Sequence, residues 1–104
     1  MGSISVACYK PKPGSEAALL ELVRNHLPPL RAEGLVTARA SIMMRTADGT
    51  VIEIFEWVSQ EAIVGAHTNP VVLDIWKRFG EICTYETPAT LPEFQNLFAH
   101  FEPV

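Results

Sequence analysis

No apolar stretch in this chain runs for more than a few residues before a polar, charged or proline residue breaks it. A bilayer-spanning helix needs roughly 20 such residues in a row, so no membrane partner is expected. Basic residues are scarce as well: 8 Lys and Arg, never more than two in a row, stand against 12 Asp and Glu, for a net charge of −4. Without a basic stripe to neutralise phosphates, nucleic acid is not an expected partner. Cysteine is limited to Cys8 and Cys83, with no C-x-x-C spacing and no signal-peptide pattern ahead of them. That usage predicts two packed, reduced thiols in a cytoplasmic protein. There is no H-E-x-x-H or Cys/His cluster, no Gly-rich phosphate loop and no nucleophile elbow, so neither a metal nor a cofactor is expected.

Charge is thin overall, at 19%, while 48% of the 104 residues are hydrophobic. A chain of this length forms one modest core, and no repeat or low-complexity linker divides it, so residues 1–104 are read as one domain. Few charges leave few groups to face water, and this leans towards apolar surface covered by another subunit.

The elements follow from periodicity. Ile4 to Tyr9 alternates as a short strand. Pro11, Pro13 and Gly14 stop it, and Ser15 is placed to cap a helix whose stripe is Leu19, Leu22, Val23, His26, Leu27 and Leu30. Pro28 and Pro29 predict a kink, with one further turn ending at Gly34. Leu35–Arg45 and Thr50–Val58 read as two strands of a hairpin around Ala47-Asp48-Gly49. A two-residue Asp48-Gly49 loop would set Met44 opposite Glu53, Ile42 opposite Phe55 and Ala40 opposite Trp57. Both faces of that hairpin then carry large apolar groups, the second mixing Ile52 and Ile54 with Arg39, Arg45 and Glu56. An antiparallel sheet with one wet face would not look like this, so a second cover is required.

Ser59 is set to cap a helix over 60–67, Asn69 to cap another opened by Pro70, and Val72, Ile75, Trp76, Phe79, Ile82 and Cys83 form the stripe of the latter. Thr84–Thr87 predicts a fourth strand, Leu91–Leu97 a brief helix and Phe98–Glu102 a last strand. The order strand, helix, hairpin, helix, strand is the βαββαβ pattern of an α+β, ferredoxin-like domain with an antiparallel sheet.

The stretch Ile54-Phe55-Glu56-Trp57-Val58-Ser59-Gln60-Glu61-Ala62, followed by Ala66-His67 and Asn69-Pro70, resembles the antibiotic biosynthesis monooxygenase-like family, as does Lys12-Pro13-Gly14 before a Leu-rich helix. The resemblance covers most of residues 4 to 88. It implies a dimeric α/β barrel, in which two subunits of a homodimer press sheet on sheet and share closing edges through terminal strands, here around Phe98, Phe101 and Val104. The resemblance further implies a cofactor-independent monooxygenase, or a related isomerase or decarboxylase, acting on a small aromatic or quinol-like molecule. The first strand, Ile4-Ser5-Val6-Ala7-Cys8-Tyr9, lacks the Asn of the family's haem-degrading branch, which argues against that chemistry.

His67 is the candidate base, because it ends the helix leaving the Trp57 strand and an imidazole titrates near neutrality. Its other reading is a tether that hydrogen-bonds backbone at the Thr68-Asn69-Pro70 break. Glu56 and Arg45 are candidate substrate-binding groups inside the barrel, or else members of an exposed ion-pair edge. Trp57, Trp76 and Tyr85 are candidate walls of an aromatic pocket, or ordinary core. His26 sits on an apolar stripe and reads as a packed histidine. Alongside the enzyme stands a second class of function, a dimeric module that binds a small apolar ligand without transforming it.

Overall fold

A computed structural model describes residues 2–104. Strand β1 (Ser3–Pro11) is followed by helices α1 (Glu16–Arg24) and α2 (Leu27–Ala32), strands β2 (Ile42–Arg45) and β3 (Val51–Trp57), helices α3 (Gln60–Ala66) and α4 (Pro70–Ile82), and strand β4 (Cys83–Glu86). Two single 3-10 turns, Pro88–Thr90 and Pro92–Gln95, lead to a two-residue strand β5 (Glu102–Pro103). The antiparallel sheet runs β4-β1-β3-β2-β5. Its first four strands have the arrangement compatible with a ferredoxin-like fold, and the molecule is a small α+β structure.

Two of the three N-caps placed from sequence form side-chain hydrogen bonds, whereas Ser15 precedes α1 without one. The Ser59 hydroxyl accepts from the Ala62 amide at 3.1 Å, and the Asn69 side chain accepts from the Val71 and Val72 amides at 2.9 and 3.3 Å. The proline pair acts one turn earlier than expected: the helix breaks at Asn25-His26, and Pro28 and Pro29 lie within the first turn of α2, where missing amide donors cost nothing. Gly34 terminates that turn with φ of 72°.

The hairpin differs from its sequence reading. Residues 35–41 are not a continuous strand; only an isolated bridge joins Val36 to Trp57 before β2 begins at Ile42. The register places Met43 opposite Glu53 and Ile42 opposite Ile54, one residue away from the two-residue-loop register. The cause is the loop. Thr46 pairs with Thr50 through backbone, so the turn holds three residues, Ala47-Asp48-Gly49, and Gly49 takes the left-handed conformation at φ of 90°. A one-residue slip exchanges the faces of β2, so Ile42 and Met44 turn away from the helices and Met43 turns towards them.

One face of the sheet packs under the helices. Tyr9, Val51, Phe55, Trp57 and Cys83 meet Leu19 and Val23 of α1, Leu27 and Leu30 of α2, and Val72, Ile75 and Phe79 of α4. On the other face a second cluster gathers Cys8, Ile52 and Leu91, with Met44, Ile54 and Phe101 against it. The C-terminal segment therefore covers part of this face, although as 3-10 turns and a short strand in place of the expected helix 91–97 and strand 98–102. It pairs with the β2 of its own chain, Glu102 opposite Arg45. Beyond the tail's reach Ile4, Val6 and Ile42 stay open to solvent, with 58, 46 and 57% of their surface exposed. Both cysteines are buried and free, Cys8 in the outer cluster and Cys83 in the helix-side core. No helix among the described residues is long and apolar enough to cross a membrane.

Candidate functional site

Strand β4 pairs with β1 only from Cys8 to Pro11, so the sheet is narrower at the Ser3–Ala7 end and the helices overhang it. A cavity of about 490 Å³ opens there between sheet and helices. Its floor comes from inward side chains of β1 and β3, Tyr9, Phe55 and Trp57 among them. Its sides are Tyr85 of β4, Ile63 of α3 and Trp76 of α4, and two histidines, His26 and His67, complete it. A groove of about 540 Å³ outside α1 and α4 is lined by Glu21, Arg78 and Glu81 and contains none of the candidate residues.

Four of the six residues singled out from sequence, His67, Trp57, Trp76 and Tyr85, meet at this cavity. His67 closes the C-terminal end of α3, where its Nδ1 lies 2.9 Å from the Ile63 carbonyl, one of the last-turn acceptors that the helix leaves open. With Nδ1 donating there, Nε2 remains as the ring's acceptor. The imidazole meets the Trp76 ring edge to face at 5.1 Å. Trp57 is buried and anchored by its indole N–H, which donates to the Ser5 hydroxyl at 3.0 Å. Tyr85 stands edge-on to Tyr9 at 5.7 Å, and partial burial pushes its hydroxyl pKa up to about 12. It is therefore a neutral donor at physiological pH.

The other two, Glu56 and Arg45, lie elsewhere. Glu56 alternates with Phe55 and Trp57 onto the opposite face of the sheet, where Arg39 Nε donates to it at 3.1 Å and Thr37 Oγ1 at 3.0 Å. These hydrogen bonds hold its carboxyl below the ordinary carboxylate range. Arg45 pairs with Glu102 at 2.6 Å, at the edge where β5 joins β2. Both belong to surface ion pairs.

At the inner wall lie His26, read from sequence as a packed histidine, and Tyr9, with Glu53, not weighed from sequence, hydrogen-bonded behind them. Glu53 is completely buried, and its Oε1 accepts from the Tyr9 hydroxyl at 2.9 Å and lies 2.8 Å from His26 Nδ1. His26, 3% exposed, is wedged edge-on between Phe55 at 5.5 Å and Phe79 at 5.2 Å. Burial, reinforced by the neighbouring Glu53 charge and hydrogen bond, drives the Tyr9 pKa far above that of a free phenol. His26 Nε2 and Glu53 Oε2 are buried without a hydrogen-bond partner among the described residues. The signal was present in the pattern: Glu53 is in phase with Phe55 and Trp57, and His26 with Val23, Leu27 and Leu30. An acid on a sheet's inner face and a histidine on the inner stripe of the helix covering it each need a polar partner, and either can serve the other. No group of three or more metal-ligating side chains occurs among the described residues.

No family model and no curated protein matches the chain. Among solved structures it is similar to that of Rv0793 from Mycobacterium tuberculosis, with a TM-score of 0.63 and 23% identity over 85% of this chain and 95% of that one. At that identity the likeness defines a class of fold, a small α+β domain, and carries no activity with it.

Proposed function

We propose that the chain is a single-domain member of the antibiotic biosynthesis monooxygenase-like dimeric α/β barrels, and that its cavity takes a small, flat aromatic or quinol-like molecule. The observation that carries this reading is the cavity itself: about 490 Å³, walled by Trp57, Trp76, Phe55 and Tyr85, with two imidazoles among its few polar groups. Apolar walls with a few placed polar groups are what a small-molecule site requires. Aromatic faces favour a flat ring.

In this reading the reaction is a cofactor-independent oxygenation. A wall histidine removes the proton of an activated C–H or hydroxyl, leaving an electron-rich anion that can pass electrons to dioxygen. For an anthrone, addition of O2 forms a carbon–oxygen bond and loss of water leaves the quinone: one oxygen atom stays in the product, the other leaves as water, and the substrate supplies the electrons. His67 Nε2 serves as base from the rim, and the neutral Tyr85 hydroxyl donates to the developing oxyanion. Oxygen uptake by the chelator-treated protein with anthrone tests this. Uptake above the spontaneous rate, reduced at least tenfold by His67→Ala, is expected; a rate equal to buffer alone would overturn the oxygenase.

The sheet face carrying Ile4, Val6 and Ile42 supports a homodimer, because three large side chains about half exposed on one flat surface need a cover. A second copy of the same face is self-complementary. A non-catalytic ligand-binding module is favoured by one feature, the engagement of His67 Nδ1 by the Ile63 carbonyl, which gives that ring a structural task. In that case anthrone binds and no oxygen is consumed.

A further inference from the structure

We infer that His26, backed by Glu53 and Tyr9, is a second acid-base site at the inner wall of the cavity, and that the ligand it takes is a hydroxyarene held there as its oxyanion. This deepens the proposed function and rests on it, since it requires the cavity to admit an aromatic ring. Three observations carry it. Glu53 is completely buried in a core of aromatic and aliphatic groups, a placement that costs several kcal/mol per ion unless the charge is compensated. Its compensation is asymmetric: Oε1 takes both the Tyr9 hydroxyl and His26 Nδ1, while Oε2 takes nothing. His26 lines the cavity, and its Nε2 is buried with no partner among the described residues.

The carboxylate can only accept, so Nδ1 carries the ring hydrogen and Nε2 carries a lone pair. An imidazole fixed in that tautomer by a carboxylate behind it is oriented as a base on its far nitrogen. If it takes a proton at Nε2, the resulting imidazolium lies between the Glu53 carboxylate and the ligand oxyanion, and each positive or negative charge has an opposite neighbour. The step balances: the ligand O–H bond breaks, the Nε2–H bond forms, and the electron pair stays on the ligand oxygen. His26 touches the ligand, whereas Glu53 and Tyr9 act through His26 and are positioning residues. Packing edge-on against Phe55 and Phe79 and the Glu53 contact at Nδ1 together orient the ring. The ligand class follows from acidity: an arene hydroxyl, whose oxyanion is delocalised into its ring, gives a proton to a nitrogen base far more readily than an aliphatic alcohol, which selects phenols, naphthols and hydroxyquinones.

The test uses 4-nitrophenol, whose anion absorbs at longer wavelength than the neutral phenol, in buffer acidic enough to keep the free probe mostly protonated. Equilibrium dialysis measures occupancy and absorbance measures ionisation. The wild type is expected to bind the probe as the anion. His26→Gln, which retains a donor towards Glu53 and cannot accept a proton, is expected to bind it as the neutral phenol. Glu53→Gln is expected to keep occupancy and lower the bound anion-to-phenol ratio by about tenfold or more, as loss of an adjacent opposite charge dictates. A wild type that binds the probe only as the phenol overturns the inference and leaves the aromatic cavity standing. So does an anion signal that survives His26→Gln and disappears in His67→Gln. Absence of binding to the wild type overturns the cavity reading and this inference together.

Discussion

His26 Nδ1 and Glu53 Oε1 lie 2.8 Å apart in the helix-side core, an ion-pair geometry between a residue that is 3% exposed and one that is completely buried. The pair ties the α1–α2 junction to the centre of β3. Removing either member leaves the other without its partner in an apolar interior, and breaking such a pair costs about 3–5 kcal/mol. His26→Ala is therefore expected to lose about 3 kcal/mol or more of unfolding free energy in urea titration. A loss below 1 kcal/mol would mean the carboxylate is not charged there.

Tyr9→Phe tests the third member. It deletes the hydroxyl that donates to Glu53 at 2.9 Å and preserves the ring stacked on Phe79 at 4.6 Å. A hydrogen bond to a charged group contributes about 1.5–3 kcal/mol, and a loss of that size is expected, measured by urea denaturation.

Alkaline titration separates the two tyrosines. Tyr85 has its pKa raised to about 12 from an ordinary 10, and Tyr9 is raised further by burial and Glu53. A raised acid keeps its proton when folded and has already lost it when unfolded, so the unfolded state binds fewer protons above pH 10 and stability falls with pH there. The Cys8 and Cys83 thiols, raised by burial from an ordinary 9, act in the same direction. Stability from these groups is full below about pH 9 and declines as pH rises through the folded values. Tyrosinate absorbance should show one hydroxyl, Tyr85, titrating in the folded protein, and the second appearing only with loss of near-ultraviolet circular dichroism.

The open sheet face gives an association prediction. The protein is expected to sediment at twice its 11.5 kDa chain mass. Ile42→Lys places a charge on a side chain that is 57% exposed in the isolated chain, so it is expected to leave the fold intact and convert the dimer to monomer. A wild type that stays monomeric at high concentration contradicts the barrel.

Much of the architecture could be read from local chemistry. Ser59 and Asn69 cap the helices predicted for them, and the order of the first strands and helices along the chain is the one the alternation and turn signals predict. The register of β2 could not be read, because Asp48-Gly49 suits both a two-residue loop and the three-residue loop that forms, and the choice is made by Thr46 pairing with Thr50. The tail, whose residues 88–103 settle as 3-10 turns and a two-residue strand, has too short a period to resolve. For the site, Trp57, Trp76, Tyr85 and His67 were legible as aromatic and titratable groups in adjacent elements, and they share one cavity. Glu56 lies on the mixed sheet face that alternation predicted, in the ion-pair role that was its other reading, with Arg39 as partner, and Arg45 pairs with Glu102 at the sheet edge. The His26–Glu53 pair was missed because each residue, read singly, looks like an exception within an apolar stripe; only the packing of α2 onto β3 makes them partners.

The aromatic cavity is tested most directly by the indole N–H signals of the chain's two tryptophans in nitrogen-15 correlation spectra, titrated with 1-naphthol. Trp57 and Trp76 both line the cavity, on a strand and a helix that face each other across it. Both signals are expected to shift together and saturably, while the side-chain methyl signals of Ile4 and Ile42, on the far side of the sheet, stay in place in carbon-13 spectra. Two indole signals that do not move at saturating naphthol, or that move only in step with those far-face methyls, would contradict the account.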